Sequence, residues 1–525
     1  MKPLLVLLLI SAVSAFDFIR ESFRRVFYYF VQVFQTLFRY IDDKVDPCDN
    51  FYRHACPIGR FDGFLIANEY KDLLVKLRTK TVDAVWNNLE VEETFKRTHY
   101  KEISSPSHYI ANLFKEQCED QNVSRQELVT YLDHIERYVF GMEKFKCENV
   151  MCLSALASDH NCTRASQKLH SMVKSSFGLL TNSEVFQSET ERHFIRVRRA
   201  LEGANAVLDG DARDGVTTIN QMIEAMKRKL TSWINQTAWA ANNDAADAII
   251  AETLQVHLYD NYAESMRFNI NLLLQMDQNY LKCLRDTKND EQHKVFCMFM
   301  ATIEFLQSEP NDKFFTYFNA VNSHPTIFFS HLFYDMATNV EEQAGLLGGA
   351  GSIVGHELSH TLIENAEYPV LLPYFSNESM QCIQNQFQKT CDNFAEISCG
   401  TQDYQIDENG SDMLGLQLAY SLFEDEYEGR MSDEYIKVAS SIDDSHRSIT
   451  MEQLFFYSNA LVACQGIPLA QRPGNPHSPF NIRVNAMAQH PGFKKAFNCA
   501  SDSRMVQSFN DQCIIFGEGA PETRK

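Results

Sequence analysis

Apolar side chains return every three or four residues along much of this chain. QELVTYLDHIERYVF (126–140), TTINQMIEAMKRKLTSWINQ (217–236) and AADAIIAETLQVHLYDNYAESM (245–266) all show the spacing, which predicts successive helices from about 100 to 310. FFTYFNAVNSHPTIFFSHLFYDM (314–336) breaks the rhythm. Asn322, Ser323 and Pro325 read as a turn there, and the β-branched and aromatic run TIFF as a short strand. The helical period resumes in AGLLGGAGSIVGHELSHTLIE (344–364), led by glycines, and again around 412–427, before a mixed last third with turn signals at RPGNPHSP. The pattern predicts an α+β fold, mostly α.

The N-terminus follows other rules. In MKPLLVLLLISAVSA one lysine precedes an apolar run that ends in small residues, the chemistry of a secretory signal peptide over 1–15. The run falls short of the roughly 20 apolar residues a bilayer span needs, so no transmembrane anchor is expected. Residues 16–45 place Ile19, Phe23, Phe27, Phe30, Phe34 and Phe38 at helical spacing among several arginines, an amphipathic aromatic helix.

With 525 residues, 45% of them hydrophobic, the chain is long enough for two or three domains or for two lobes around one large core. A formal charge of −21 excludes nucleic acid as the expected partner, since a phosphate backbone selects basic surfaces. Fourteen cysteines suit the oxidising compartment that a signal peptide implies. Sequons at Asn122, Asn161, Asn235 and Asn377 suit a secreted glycoprotein; a fifth falls at Asn409.

One pentad carries chemistry. His356-Glu357-Leu358-Ser359-His360 is H-E-x-x-H, expected by chance in roughly 0.03 chains of this composition. On a helix the two histidines lie one turn apart on one face and can converge on a cation. Glu357 sits about 100° round the axis, able to polarise a metal-bound water without taking a coordination position. A catalytic zinc needs a third protein ligand and an open fourth position. No third histidine follows within 361–370, which leaves Glu364, Glu367, Glu378, Glu396 and Glu408 as candidates. Glu408 ranks first because Asp412, four residues on, could hydrogen-bond a ligating imidazole.

Beyond these residues the chain resembles the neprilysin and endothelin-converting-enzyme family of zinc metallopeptidases. The likeness runs through VDPCDNFY (45–52) with Cys56, INQMIEAMKRKLTSWINQTAW (219–239) and Asn319-Ala320. It continues in VGHELSH (354–360), DENGSDMLGLQLAY (407–420), MEQLFFYSNALVAC (451–464) and HSPFNIRVNAMAQHPGFKKAFNC (477–499). The resemblance implies a zincin-like (thermolysin-like) catalytic lobe with a helical lid lobe, and one Zn2+ per chain held by His356, His360 and Glu408. It implies Glu357 as general base, Asp412 as the orienter of a ligand, and His477 as the support of the oxyanion. Arg483, Asn319 and Ala320 would hold an extended peptide. Read alone, His477 would be a loop histidine and Arg483 an ion-pair partner. The resemblance also implies the disulfides Cys48–Cys499, Cys56–Cys464 and Cys382–Cys513.

The expected organisation is an N-terminal segment with a reduced helical lid lobe over 46–215. A catalytic lobe over 216–525 follows, discontinuous because residues 46–60 close it. The expected function is a secreted zinc metalloendopeptidase that cuts oligopeptides before hydrophobic residues. A second reading is a peptide-binding or scavenging protein on the same fold. It is motivated by departures from the family's usual residues: Thr361-Leu362-Ile363-Glu364-Asn365 for Gly-Phe-Asp-Asp, Asn409-Gly410-Ser411 for Asn-Ile-Ala, Val321-Asn322 for two aromatics, and Ala463 for a tryptophan.

Overall fold

The computed structural model describes residues 38–56, 64–66, 80–97, 106–140, 153–177, 183–208, 210–239, 244–259, 262–286, 291–308, 319–340, 342–363, 376–395, 399, 405–430, 433–439, 446–465, 475–507 and 512–521. The expected signal peptide and nearly all of the expected aromatic helix lie outside these residues. Of the latter, Phe38–Tyr40 forms one 3-10 turn and residues 41–45 are not helical. Phe38 is buried edge-on against Tyr457, with ring centroids 5.9 Å apart.

The chain divides into two compact units. One comprises residues 78–206 and 261–316, the other residues 1–77, 207–260 and 317–525. The first is a helical bundle. Helices Pro106–Glu119, Arg125–Phe140, Cys162–Phe177, Tyr262–Asp286 and Glu291–Gln307 turn their apolar stripes onto one core, in which Phe114, Leu132, Phe186, Val197, Phe296 and Phe305 are buried. Disulfides Cys118–Cys162 and Cys283–Cys297 cross-link it.

The second unit holds every residue singled out for chemistry. Its one described sheet of three strands runs β1 (His257–Leu258), β3 (Thr326–Phe329), β2 (Ala320–Ser323). β1 is parallel to β3, with His257 opposite Thr326. β2 is antiparallel to β3, with Ala320 opposite Phe329 and Ser323 opposite Thr326. β2 is therefore an edge strand. TIFF is a strand, as its residues suggest; Asn322 and Ser323, which read as a turn, belong to β2 instead.

The stretch 245–266 is not one helix, although its apolar spacing is helical. Helix Asp244–Gln255 ends, β1 intervenes, and a new helix begins at Tyr262. Tertiary partners interrupt it: buried Lys227 donates to Val256 O (2.9 Å), and Tyr259 N donates to Ile327 O (2.9 Å). Sheet pairing here outweighs local preference, a weak term worth tenths of a kcal/mol per residue.

Residues 343–363 make one helical run: Gln343–Leu346, a π-helical turn over Leu347–Gly351, then Ser352–Ile363. The last segment, here the HExxH helix, has Val354, Leu358 and Leu362 fully buried. It packs on a second helix, Ile406–Tyr427, here the Glu408 helix, which begins six residues before the expected start and so includes Glu408. Two glycines set their spacing. A β-carbon on Gly355 would stand 2.6 Å from Gly415 O, and one on Gly415 would stand 2.5 Å from His356 N. No side chain fits between backbones that close. Gly410 differs, because a β-carbon there would meet only side-chain tips, Ile363 Cδ1 at 3.2 Å and Ile383 Cδ1 at 3.4 Å.

The start and end of the chain close around these helices. Cys48–Cys499, Cys56–Cys464 and Cys382–Cys513 form, the pairing the resemblance implies; Cys391–Cys399 adds a fourth bridge to this unit. Phe51, on the short helix Phe51–Ala55, is buried against Phe493 (4.9 Å) and Phe497 (5.0 Å). Tyr52 N donates to Asn485 Oδ1 and Tyr52 OH to Gln465 O. Among the described residues no cysteine is free, and no helix is long and apolar enough to cross a membrane.

The two glycine environments predict opposite outcomes. Gly415→Ala is expected to force the helices apart and cost about 1–3 kcal/mol or more, the range for overpacking. Gly410→Ala is expected to stay within about 1 kcal/mol of the wild type, since better helix propensity offsets mild crowding. Urea midpoints of both variants, measured with a chelator present, check this pair.

Candidate metal centre

The HExxH helix and the Glu408 helix form the floor of a cleft of about 560 Å³. The cleft is walled by edge strand β2, by residues of helix Met451–Ala463, and by the 475–487 segment. All nine residues proposed from the sequence line it: Asn319, Ala320, His356, Glu357, His360, Glu408, Asp412, His477 and Arg483. Of the remaining ligand candidates, the one that is described does not join the cluster. Glu378 starts helix Asn377–Phe394 and is exposed, and Glu364, Glu367 and Glu396 fall outside the described residues.

At the centre, His356 Nε2 and His360 Nε2 are 3.0 Å apart. Glu408 Oε2 lies 3.3 Å from the first and 3.8 Å from the second. The three side chains are the one group of His, Cys, Asp or Glu among the described residues whose ligand atoms converge as a metal site requires. Glu408 Oε2 is buried and receives no hydrogen bond. An orphaned carboxylate oxygen costs free energy unless a cation or donor meets it. Two imidazole nitrogens and one carboxylate oxygen match the borderline donor set that suits zinc. The residues fit the metal.

A further set of contacts holds these groups in place. Asp412 accepts two hydrogen bonds from Arg483, from Nε at 2.6 Å and Nη2 at 2.5 Å, a bidentate pair. Its Oδ1 is also 2.9 Å from His356 Nδ1, off the line of a hydrogen bond but within ion-pair range. His360 Nδ1 faces Ser411 Oγ at 3.3 Å. His477 Nε2 is 3.1 Å from Glu408 Oε1, and Asn475 Oδ1 sits 3.2 Å from its Nδ1 while accepting its backbone N–H at 3.1 Å. Asn322 Nδ2 donates to Glu357 O and, at 2.9 Å, to Thr361 Oγ1, which bolts β2 to the HExxH helix.

Burial and charge pull these groups in opposite directions. For Asp412 burial favours the neutral acid, but the Arg483 guanidinium and His356 outweigh it and hold the carboxyl far below its usual range. Glu408 follows the same pattern and falls to about 2. Burial also opposes charging of His356, yet its contacts to Asp412 and Glu408 push it up to about 10. His360 goes the other way, to about 3, through burial and the neighbouring His356 charge. His477 is lowered by burial and by Arg483.

Comparison with known proteins bears on what this cluster is. Residues 318–513 match the profile described as peptidase family M13. The matched segment contains His356, His360 and Glu408. Endothelin-converting enzyme 1 of Cavia porcellus is 27% identical over 171 residues, 30% of this chain and 22% of that protein. Neprilysin-1 of Caenorhabditis elegans is 26% identical over 188 residues, 32% of this chain and 23% of that one. Membrane metallo-endopeptidase-like 1 of Mus musculus is 22% identical over 334 residues, 56% and 40% of the two chains. The likeness to the endothelin-converting enzyme thus spans about a fifth of its length. A zinc metalloprotease of Mycobacterium tuberculosis solved with an inhibitor aligns over 91% of this chain and 98% of its own, with 13% identity and a TM-score of 0.43.

Sequence reasoning did not single out Ser411, Asn475 or Asn322 as partners within the cleft. Ser411 had a usable signal, three residues after Glu408 and beside Asp412 on one helix face. Asn322 had none, since Thr361 lies 39 residues away and only the fold joins them.

The shifts predict how metal uptake responds to pH. The metal-free chain keeps a proton on His356 up to about pH 10, while Glu408 is already ionised above about pH 2 and His360 already neutral above about pH 3. Zinc must displace the one His356 proton, so affinity is expected to rise about tenfold per pH unit between pH 6.5 and 8.5. Chelator-competition titrations at three pH values check the slope, and a flat profile contradicts it.

Proposed function

We propose that this protein is a secreted zinc metalloendopeptidase that hydrolyses oligopeptides, with His356, His360 and Glu408 as ligands of one zinc ion. The orphaned Glu408 oxygen facing two buried imidazoles, in a cleft bordered by an open strand edge, carries the reading. Zinc, when bound, supplies the Lewis acidity that makes a water nucleophilic near neutral pH.

The chain's own groups would do the rest. Glu357, on the same helix turn as His356 and lining the cleft, takes a proton from the attacking water and passes it to the leaving amine. An extended peptide pairs with edge strand β2, where Asn319 and Ala320 offer backbone and amide groups. Arg483 is held rigid by Asp412, so it can meet a substrate carbonyl at little cost in side-chain entropy. His477 supports the oxyanion. Asp412 holds the His356 ring in orientation. Phe333, Met413, Leu416 and Val462 in the wall support a preference for cutting on the amino side of hydrophobic residues.

Secretion is part of the same proposal. The 1–15 segment, the disulfides, and the exposure of Asn122, Asn161, Asn235 and Asn377 support it. Asn409 is only 2% exposed, so the fifth sequon is closed to glycosylation.

The test is a peptide library incubated with purified protein, with and without chelator. Cuts before hydrophobic residues that vanish with chelator are expected. Glu357→Gln should lower kcat by about 10³ or more while leaving one zinc per chain, since general-base catalysis is worth about 10²–10⁴. Stoichiometric zinc with no cut on any peptide would favour the peptide-binding reading instead.

A further inference from the structure

The face that the Glu408 helix turns to the HExxH helix carries more than a ligand and one partner. Glu408, Ser411 and Asp412 occupy positions i, i+3 and i+4 on it, opposite His356 and His360 at i and i+4. Each ring has its own neighbour at Nδ1: Asp412 Oδ1 at 2.9 Å for His356, and Ser411 Oγ at 3.3 Å for His360. Ser411 is fully buried and His360 8% exposed, so bulk water does not substitute for either group. Among the described residues Ser411 is the one hydrogen-bond partner of His360 Nδ1. The other nitrogen, Nε2, points into the cluster, 3.0 Å from His356 Nε2 and 3.8 Å from Glu408 Oε2.

We infer that Ser411 is a positioning residue for His360, fixing the tautomer and ring orientation in which Nε2 offers its lone pair to a cation. The inference rests on the metallopeptidase reading of the site. A neutral imidazole carries one proton, so a lone pair at Nε2 requires the proton at Nδ1. Ser411 Oγ accepts a hydrogen bond from that Nδ1–H. This chain thus supports both histidines from one helix, one with a carboxylate pinned by Arg483 and the other with a neutral hydroxyl. The choice is physically sensible. A second buried carboxylate beside Asp412 and Glu408 would add like charge, whereas a hydroxyl orients the ring without it.

Two measurements test this. In the metal-free wild type, 15N NMR of histidine side chains is expected to show His360 as the Nδ1–H tautomer. Predominance of the Nε2–H form would overturn the inference by itself, with no variant needed. In Ser411→Ala, zinc affinity by chelator competition is expected to fall about tenfold, at the low end of the range for groups that orient metal ligands. The urea midpoint of the metal-free variant should fall modestly, because the buried Nδ1–H loses its acceptor while alanine favours helix, and a cooperative transition confirms that the variant folds. A folded variant with unchanged zinc affinity also overturns it. If the wild type takes up no zinc at all, the metallopeptidase reading falls, and the Ser411 inference then stands only if the Nδ1–H share of His360 drops in Ser411→Ala, since His356 Nε2 also faces His360 Nε2.

Discussion

Everything in the cleft depends on how closely the HExxH helix and the Glu408 helix approach, and the backbones of Gly355 and Gly415 set that distance. With any larger residue at either position a β-carbon would lie within about 3 Å of peptide atoms, inside the repulsive wall. Glu408 has a short side chain, so its carboxylate reaches both imidazoles only if the helix axes stay close. Gly415 lies seven residues, two turns, beyond Glu408 and on the same face. One contact therefore brings the Glu408 carboxylate within range of both imidazoles.

The same closeness creates an electrostatic problem. Glu357, Glu408 and Asp412 bring three carboxylates into one partly buried space, and like charges there would normally drive protonation. Arg483 is the counterweight. Its bidentate pair with Asp412 keeps that group ionised, and its charge also lowers Glu408. The cluster still has an excess of negative charge over fixed positive charge, so His356 holds a proton strongly in the metal-free protein. A divalent cation bound there would replace that proton and meet the Glu408 oxygen, which has no hydrogen-bond donor, at the same time.

The segments around Gly410 and Thr361 are held by local contacts. Gly410 leaves a gap beside the Glu408 helix that Ile363, in the altered segment after His360, occupies. Thr361 in that segment takes a hydrogen bond from Asn322 in β2. Each contact ties the segment after His360 to a wall or the floor of the cleft.

Much of this was readable in advance. The i, i+4 histidines, the acidic pair four residues apart and the strand TIFF are local patterns whose period alone carries the information. The three long-range disulfides were legible only through the family resemblance, which implied the pairings that form. Other features lay beyond local reading, because their causes are non-local. Apolar spacing read 245–266 as helix, yet Lys227 and Ile327 recruit residues 256–259 to the sheet. Helices Tyr262–Asp286 and Glu291–Gln307 carry the same helical period as their neighbours, yet their apolar faces close the core of the other unit. The sequence by itself determined which side chains could bind a metal, since ligand chemistry and helical period are properties of single segments. Only the tertiary structure decided that Glu408 is the carboxylate that arrives, that Arg483 is tied to Asp412, and that Ser411 faces His360. Those outcomes depend on the distance between two helices, which no single segment encodes.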